Sequence, residues 1–218
     1  MKKAFLFDLN GTIIDDMKYH TKAWFHLLND ELGANLSWDA VKKEMYGKNS
    51  ELLIRVFGKD HFTQQQMDTL SLEKEKRYQQ EYRPHLALLP GLQLFFEKAH
   101  ELHIPMAIGS AAIPFNVNFV LDNLHIRHFF SAIVSADDVA ESKPHPETFL
   151  KGAEQLGVAP ENCIVFEDAP KGVEAALNAG MRSVVLTTVH EPHEFAQYPN
   201  VIRFVKDYTE LSVDNLVK

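Results

Sequence analysis

The chain has 218 residues, of which 45% are hydrophobic and 24% are charged, and its formal net charge is -8 at pH 7. These values predict a folded protein with one ordinary domain, or a core with a modest insertion. The acidic balance argues against nucleic acid as a partner, because nucleic-acid binding needs a surface rich in Lys and Arg. The single cysteine, Cys163, excludes an intrachain disulfide framework and favours a reducing compartment.

The apolar run near the start of the sequence is too short for an export signal. Lys2 and Lys3 precede an apolar run, but that run stops at Asp8, well short of a signal-peptide core. No uninterrupted apolar stretch of the sequence is long enough to cross a bilayer. We therefore expect a cytoplasmic protein with no membrane partner and, by default, a monomer.

Short apolar runs that end in polar or glycine-containing turns predict a series of strands. Helical patterns lie between most of them, and Gly157 and Gly180 are typical stop signals for two of the helices. This alternation predicts an α/β fold with a Rossmann-like, mainly parallel sheet, which binds ligands beyond the carboxyl ends of its strands. The predicted strands are Ala4–Phe7, Pro105–Ile108, Ala132–Val134, Cys163–Phe166, Ser183–Leu186 and a weaker Val201–Val205, and the predicted helices between them include Gly91–Leu102, Glu147–Leu156 and Lys171–Ala179.

One region breaks the alternation of strands and helices. From about Asp15 to Leu89 the apolar residues recur at helical spacing, and Gln64–Tyr82 predicts a long polar helix. We interpret residues 15–89 as a helical cap domain, inserted into a core domain formed by residues 1–14 and 90–218. A helical module beside the loop after the first strand would form a lid.

Polar residues suited to phosphoryl transfer follow four of the predicted strands. A carboxylate that attacks a phosphoryl group needs a cation, because carboxylate and phosphate repel each other. Asp168 and Glu167 are candidates to hold Mg²⁺ opposite Asp8, since this ion takes a few carboxylates together with waters and substrate oxygens. A Ser hydroxyl and backbone N–H groups would bind the phosphoryl oxygens, and Lys143 would offset their charge. The four sets are Asp8 with Gly11 and Thr12, Ser110 with Ala111 in IGSAA, Lys143 in SKPHPE, and Glu167 with Asp168 in FEDAPKG.

Each of these residues alone also has an ordinary structural role. Asp8 is typical of a turn, Ser110 of a helix N-cap, and Lys143 of a solvated side chain. Their occurrence in order at successive strand ends favours a single site instead.

The motifs DLNGT, GSAA, KPHPETF and FEDAPKGVEAALNAG resemble those of the haloacid dehalogenase-like phosphohydrolases and phosphomutases. Within that family the chain is most similar to the subgroup with a helical cap after the first strand, which includes β-phosphoglucomutase and sugar phosphatases. The resemblance implies that Asp8 is the nucleophile and a Mg²⁺ ligand, with Asp168 as a second ligand and Glu167 beside the metal. It also implies that Ser110 and Lys143 contact the phosphoryl group of a small phosphorylated substrate.

The resemblance extends into the predicted cap. YHTKAWFHLLNDELG contains His20 and Trp24, and YGKNSELLIR contains Gly47, Lys48 and Arg55. By similarity these residues face the substrate. The alternative interpretation is that His20 and Trp24 pack inside the cap and that Lys48 and Arg55 are solvated.

Asn10 is a departure from the family, which usually has aspartate at this position. The family's aspartate binds the metal through its main-chain carbonyl and shuttles a proton through its carboxyl. Asn10 keeps the carbonyl, but an amide neither gains nor loses a proton near neutral pH. We therefore expect a slow enzyme whose metal and phosphate binding are intact.

Several interpretations of Asn10 and of the function stay open. Asn10 is either natural, in a divergent member with another proton shuttle such as His20 or with a binding role, or engineered. The Asn10–Gly11 dipeptide is also prone to deamidation, which would leave trace activity. Phosphatase and phosphomutase differ in whether water or a sugar hydroxyl accepts the phosphoryl group, and the sequence does not separate them. A dehalogenase and a catalytically weak phospholigand-binding module are the alternatives.

Overall fold

The computed structural model describes residues 2–217, which form two compact units. The core unit consists of Met1–Asp15 and Ala87–Lys218, and the helical unit consists of Asp16–Leu86. Within residues 2–217, no helix combines the length and the apolar character that spanning a membrane requires.

The core unit contains a six-stranded parallel sheet in the order β3-β2-β1-β4-β5-β6, which confirms the predicted α/β, Rossmann-like fold. The strand order reverses beside β1, and ligands bind at such a switch point in open parallel sheets. Phe7 pairs with Ile108 of β2 and with Phe166 of β4, so the carboxyl ends of these three strands lie at one level. The strands are β1 Ala4–Phe7, β2 Met106–Gly109, β3 Ala132–Val134, β4 Cys163–Glu167, β5 Arg182–Leu186 and β6 Val201–Val205.

The predicted strand and helix limits differ from the observed ones by a residue in several places. β4 extends through Glu167, because this residue still pairs with Val185 of β5. Pro170 opens the helix after β4, since proline suits a first helical turn. The helices are α1 Met17–Phe25, α2 Trp38–Glu44, α3 Asn49–Phe57, α4 Gln64–Tyr82, α5 Leu92–Glu101, α6 Pro114–Asn123, α7 Glu147–Leu156, α8 Pro170–Asn178 and α9 Val213–Val217, with a π-helical segment at His26–Glu31 after α1.

Aromatic packing fixes the strands that lead to the predicted site. Phe7 of β1 stacks on Phe166 of β4 with ring centroids 4.5 Å apart, and Phe96 contacts Phe7 edge-on at 5.3 Å. All three side chains are fully buried. Because a close-packed interior resists displacement, the residues that follow β1 and β4 start from rigid positions.

The helical unit has its own hydrophobic core. Trp24 and Leu28 of the first helical stretch pack with Leu52 and Leu53 of α3, and Met67 of α4 completes the buried cluster. Trp24 is only 3% exposed, so packing accounts for its position within this unit.

Candidate active site

A buried ion-pair network joins the ends of β1 and β4. Asp8 follows β1, Glu167 ends β4, and the Lys143 ammonium lies between them. Lys143 Nζ donates to Asp8 Oδ1 at 2.6 Å and to Glu167 Oε1 at 2.8 Å. None of the three residues is more than 8% exposed. The structure therefore brings together the nucleophile candidate and the cation that the sequence predicted to lie beside it.

The charge state of Lys143 follows from its neighbours. Burial alone lowers the pKa of its ammonium, but the Asp8 and Glu167 carboxylates outweigh this effect and raise the pKa above its ordinary value. Lys143 is therefore protonated at neutral pH. Asp168 adds a third buried carboxylate at 4% exposure, so this group of four side chains carries an excess of negative charge.

The carboxylate of Glu167 is fixed at the start of α8. Its Oε2 accepts hydrogen bonds from the backbone N–H groups of Asp168 and Ala169, both at 2.9 Å. A Cβ atom at Gly172 would lie 1.7 Å from Glu167 Oε1, which is impossible without displacement. Gly172 therefore leaves the space that the Glu167 carboxylate occupies, a role that the sequence analysis did not assign to it.

We expect Gly172→Ala to lower the free energy of unfolding by about 1–3 kcal/mol, as overpacking of a buried site does. The new methyl group has to displace the Glu167 carboxylate from the two amides and from Lys143. Urea denaturation of the wild type and the variant measures the change.

The double variant Glu167→Ala/Gly172→Ala is the matched control for this prediction. Without the carboxylate the clash is gone, and Ala is favoured over Gly inside a helix by about 1 kcal/mol. In the Glu167→Ala background, Gly172→Ala should thus be neutral or stabilising. An equal loss of stability in both backgrounds would show that Gly172 does not act through Glu167.

The turn after β1 packs against Asp168. Gly11 has φ of +72°, and a Cβ atom there would lie 2.2 Å from Asp168 Oδ2. Glycine is thus required both by the left-handed backbone and by the close approach of the carboxylate. The buried Thr12 hydroxyl donates a long hydrogen bond of 3.4 Å to Asp168 Oδ1. Asn10 is partly exposed in the same turn, two residues after Asp8.

Ser110 follows β2 on the other side of β1. It is 1% exposed, its backbone N–H donates to Val134 O at 2.9 Å, and its Oγ accepts from Ala112 N–H at 3.1 Å. A serine hydroxyl that accepts in this way can still donate its hydrogen to a ligand oxygen. Ala111 lies between Ser110 and Ala112 in the same turn and is partly exposed.

The residues at this edge suit a hard divalent cation. Their oxygen groups include the Asp8 and Asp168 carboxylates and, in the turn after β1, the Asn10 main-chain carbonyl. Among residues 2–217, no group of three or more His, Cys, Asp or Glu side chains forms a cage for a metal. Mg²⁺ does not need such a cage, because it binds through one or two carboxylates and completes its shell with waters and substrate oxygens. Both Glu167 oxygens already accept hydrogen bonds, from Lys143 and from the Asp168 backbone.

In the helical unit, His20 belongs to a buried polar cluster. Its Nδ1 lies 2.7 Å from Lys74 Nζ, its Nε2 lies 3.3 Å from Asp16 Oδ2, and its ring stacks on Tyr78 with centroids 3.7 Å apart. Burial raises the pKa of Glu75, but Lys74 and His20 outweigh this effect and lower it to about 2. Both ring nitrogens of His20 thus have partners inside the helical unit.

The other predicted binding residues of the helical unit differ in their contacts. Arg55 Nε donates to Glu44 Oε2 at 2.9 Å, and its guanidinium lies 3.7 Å from the centroid of the Tyr46 ring. Arg55 therefore holds the turn between α2 and α3. Lys48 is partly exposed at the N-cap of α3, and Gly47 before it has φ of +73°.

Thr188 is a second residue of the core unit that the sequence analysis missed. It follows β5, and its Oγ1 donates to the Gly11 carbonyl at 2.6 Å. No local pattern pointed to it, because its partner lies 177 residues away in the chain. For Gly172 the sequence contains a weak indication of its role. A glycine in the first turn of a predicted helix costs stability, so its presence there suggests a packing reason.

The sequence matches the model of one protein family. The haloacid dehalogenase-like hydrolase model aligns with residues 5–186. The fructose-1-phosphate phosphatase YqaB of Escherichia coli (strain K12) is 33% identical over 180 residues, which cover 82% of this chain and 93% of that protein.

Solved structures share the whole fold. The crystal structure of β-phosphoglucomutase from Clostridium difficile has a TM-score of 0.85 at 28% identity and covers 99% of this chain and 96% of that one. An aspartate-to-asparagine mutant of CbbY from Rhodobacter sphaeroides, in complex with Xylulose-(1,5)bisphosphate, has a TM-score of 0.83 at 26% identity. The alignment with this mutant covers 99% of each chain.

Proposed function

Because the chain belongs to the haloacid dehalogenase-like hydrolase family, we propose that it is a magnesium-dependent phosphatase or phosphomutase of a small phosphorylated metabolite, a sugar phosphate. The observation that carries the proposal is the Lys143 ammonium, which contacts both Asp8 and Glu167 at the switch point of the sheet. The relatives support the substrate class, since a fructose-1-phosphate phosphatase and a β-phosphoglucomutase are among them.

The proposed reaction passes the phosphoryl group through Asp8. A carboxylate oxygen of Asp8 forms a bond to phosphorus while the bond from phosphorus to the sugar oxygen breaks, which gives an aspartyl phosphate. A water or a second sugar hydroxyl then attacks phosphorus, and the bond to Asp8 breaks. Water as the acceptor makes the protein a phosphatase, and a sugar hydroxyl makes it a phosphomutase.

Each group of the core unit has a separate part in this scheme. Lys143 offsets negative charge on Asp8 and on the transferred group, and the Ser110 hydroxyl with the Ala111 N–H binds phosphoryl oxygens. Bound through Asp8, Asp168 and the Asn10 carbonyl, Mg²⁺ would reduce the repulsion between the carboxylate and the phosphate. Gly11 and Thr12 fix Asp168 beside the turn that carries Asn10.

Asn10 affects the two proton transfers of the scheme. The departing sugar oxygen needs a proton, and the attacking water or hydroxyl must lose one. The Asn10 amide supplies neither, so we propose that turnover is slow while binding is retained. His20 is poorly suited as a substitute base, because its two ring nitrogens contact Lys74 and Asp16.

A second candidate function is a phospholigand-binding protein with little catalysis. Asn10 favours it, and so does the CbbY mutant, in which an aspartate-to-asparagine change accompanies a bound bisphosphate. A dehalogenase is less compatible with the buried Glu167 and Asp168, because two neighbouring carboxylates suit a reaction that depends on a metal ion.

A panel of sugar phosphates, assayed with Mg²⁺ and with EDTA, tests the proposal. We expect slow release of phosphate or isomerisation of the sugar phosphate with Mg²⁺, and loss of both with EDTA or in Asp8→Ala. Thermal stabilisation by a sugar phosphate without turnover would favour the binding protein. Release of halide from a 2-haloacid, independent of Mg²⁺, would overturn the proposal in favour of a dehalogenase.

A further inference from the structure

The segment after β5 contacts the turn that follows β1. The Thr188 hydroxyl donates to the Gly11 carbonyl at 2.6 Å, a short hydrogen bond between groups far apart in the chain. Thr188 is partly exposed, so it is not a residue of the apolar core. The contact therefore needs a reason other than the burial of side-chain surface.

The backbone that carries Thr188 is itself held by the sheet. Thr187 N–H donates to Val205 O at 2.9 Å, and the Thr187 hydroxyl donates to the same carbonyl at 3.3 Å. These bonds extend the pairing of β5 with β6 by one residue beyond the strand end. Thr188 thus reaches the Gly11 carbonyl from a backbone that the sheet has already fixed.

Two later segments of the chain contact Gly11. The Asp168 carboxylate lies against its Cα, and Thr188 binds its carbonyl. The peptide between Asn10 and Gly11 lies directly before this anchored residue, and its carbonyl oxygen belongs to Asn10. Glycine has wide rotational freedom in the unfolded chain. Contacts with other residues are therefore needed to select the φ of +72° that Gly11 has in the folded protein.

We propose that Thr188 is a positioning residue for the metal-binding turn. Its hydrogen bond to the Gly11 carbonyl fixes the peptide after Gly11 and thereby restrains the preceding peptide, whose Asn10 carbonyl is a ligand in the proposed magnesium site. This inference rests on the proposed magnesium site. It assigns to the β5 segment a role in metal affinity, separate from the residues that would bind the ion themselves.

Isothermal titration with Mg²⁺ alone tests the role of Thr188. Thr188→Val keeps the shape of the side chain and removes the donor, and we expect its Kd for Mg²⁺ to be about three- to tenfold weaker, the usual effect of one lost hydrogen bond. Thr188→Ser keeps the donor and should bind Mg²⁺ like the wild type. Thr188→Ala removes the donor without adding bulk and replaces the valine variant if that variant fails to fold.

Thr187→Val is the matched control, because it removes a hydroxyl from the neighbouring residue that binds β6 instead of Gly11. It should lower the thermal midpoint slightly and leave the Kd for Mg²⁺ unchanged. Equal Mg²⁺ affinity in Thr188→Val, Thr188→Ala and the wild type would overturn the inference and leave Thr188 a purely structural role. Failure of the wild type to bind Mg²⁺ would overturn the magnesium proposal itself and the inference with it.

Hydrogen exchange of the metal-free protein gives a second readout. We expect faster amide exchange in residues 9–12 of Thr188→Val than in the wild type or Thr187→Val, because the turn has lost its hydrogen bond to the segment after β5. Unchanged exchange in this segment would contradict the positioning role even if the overall stability fell.

Discussion

Asn10→Asp is expected to raise the turnover of sugar phosphates by about 10²–10⁴-fold, which is the usual contribution of general acid–base catalysis. The change restores a carboxyl group two residues after Asp8 and leaves the main-chain carbonyl in place. Metal affinity should therefore change little, and the gain should appear in kcat. Steady-state assays of both proteins on the same sugar phosphates measure it.

The gain should depend on the leaving group. A sugar alkoxide needs a proton to depart, whereas an acyl or aryl phosphate departs without one. With acetyl phosphate, the first step of the Asn10 protein should thus be nearly as fast as in Asn10→Asp, and the aspartyl phosphate should accumulate. Rapid quenching followed by mass spectrometry of the peptide that contains Asp8 detects this adduct.

Asn10→Ala is the matched control for the proton. It keeps the main-chain carbonyl and removes the side-chain amide, so its turnover should equal that of the Asn10 protein. Equal turnover of sugar phosphates by this chain and by Asn10→Asp would contradict our account of Asn10. Peptide mapping of each preparation is needed as well, because deamidation at Asn10–Gly11 would add a trace of the aspartate form.

Lys143→Met is expected to lower both stability and activity. Breaking a buried ion pair by removing one partner typically costs about 3–5 kcal/mol of unfolding free energy, since the remaining charges are left buried. Here two carboxylates, Asp8 and Glu167, lose the same ammonium. The methionine side chain can still pack near the Phe149 ring, which lies 4.6 Å from the Lys143 nitrogen, so lost volume is a minor part of the effect.

Turnover of Lys143→Met should fall by about 10²–10³-fold, as it does when one preorganised donor is removed from a developing negative charge. Lys151→Met is the matched control, because Lys151 pairs with Glu147 at 2.7 Å on a side chain that is 37% exposed. Such surface pairs contribute about 0–1 kcal/mol. Urea denaturation and kcat measurements at saturating Mg²⁺ compare the two variants. Similar losses of stability and turnover in Lys143→Met and Lys151→Met would show that the ion pairs of Lys143 contribute no more than a surface pair does.

Asp8, Glu167 and Asp168 illustrate how three nearby carboxylates acquire different environments. Glu167 is saturated by Lys143 and by two backbone amides, whereas Asp168 lies against Gly11 and accepts a long hydrogen bond from Thr12. Asp8 shares the Lys143 ammonium with Glu167. These contacts are consistent with the proposal that Glu167 mainly positions Lys143, while Asp8 and Asp168 act on the substrate and the metal.

The sequence by itself determined the parallel α/β fold and the sheet edge at which the polar residues lie. Both follow from local patterns: apolar runs such as Ala4–Phe7 specify strands, and glycines such as Gly157 end helices. Because parallel strands place their carboxyl ends together, the order of motifs was enough to bring Asp8, Lys143 and Glu167 into one neighbourhood.

Only the tertiary structure decided which neighbours those residues have. The Thr188 contact with Gly11 and the Lys74 contact with His20 join residues that lie 177 and 54 positions apart, so no helical or strand period relates them. Such contacts depend on strand order and on which groups compete for one buried space. A local sequence pattern contains neither, because it records which side of an element is buried and not what the element is buried against.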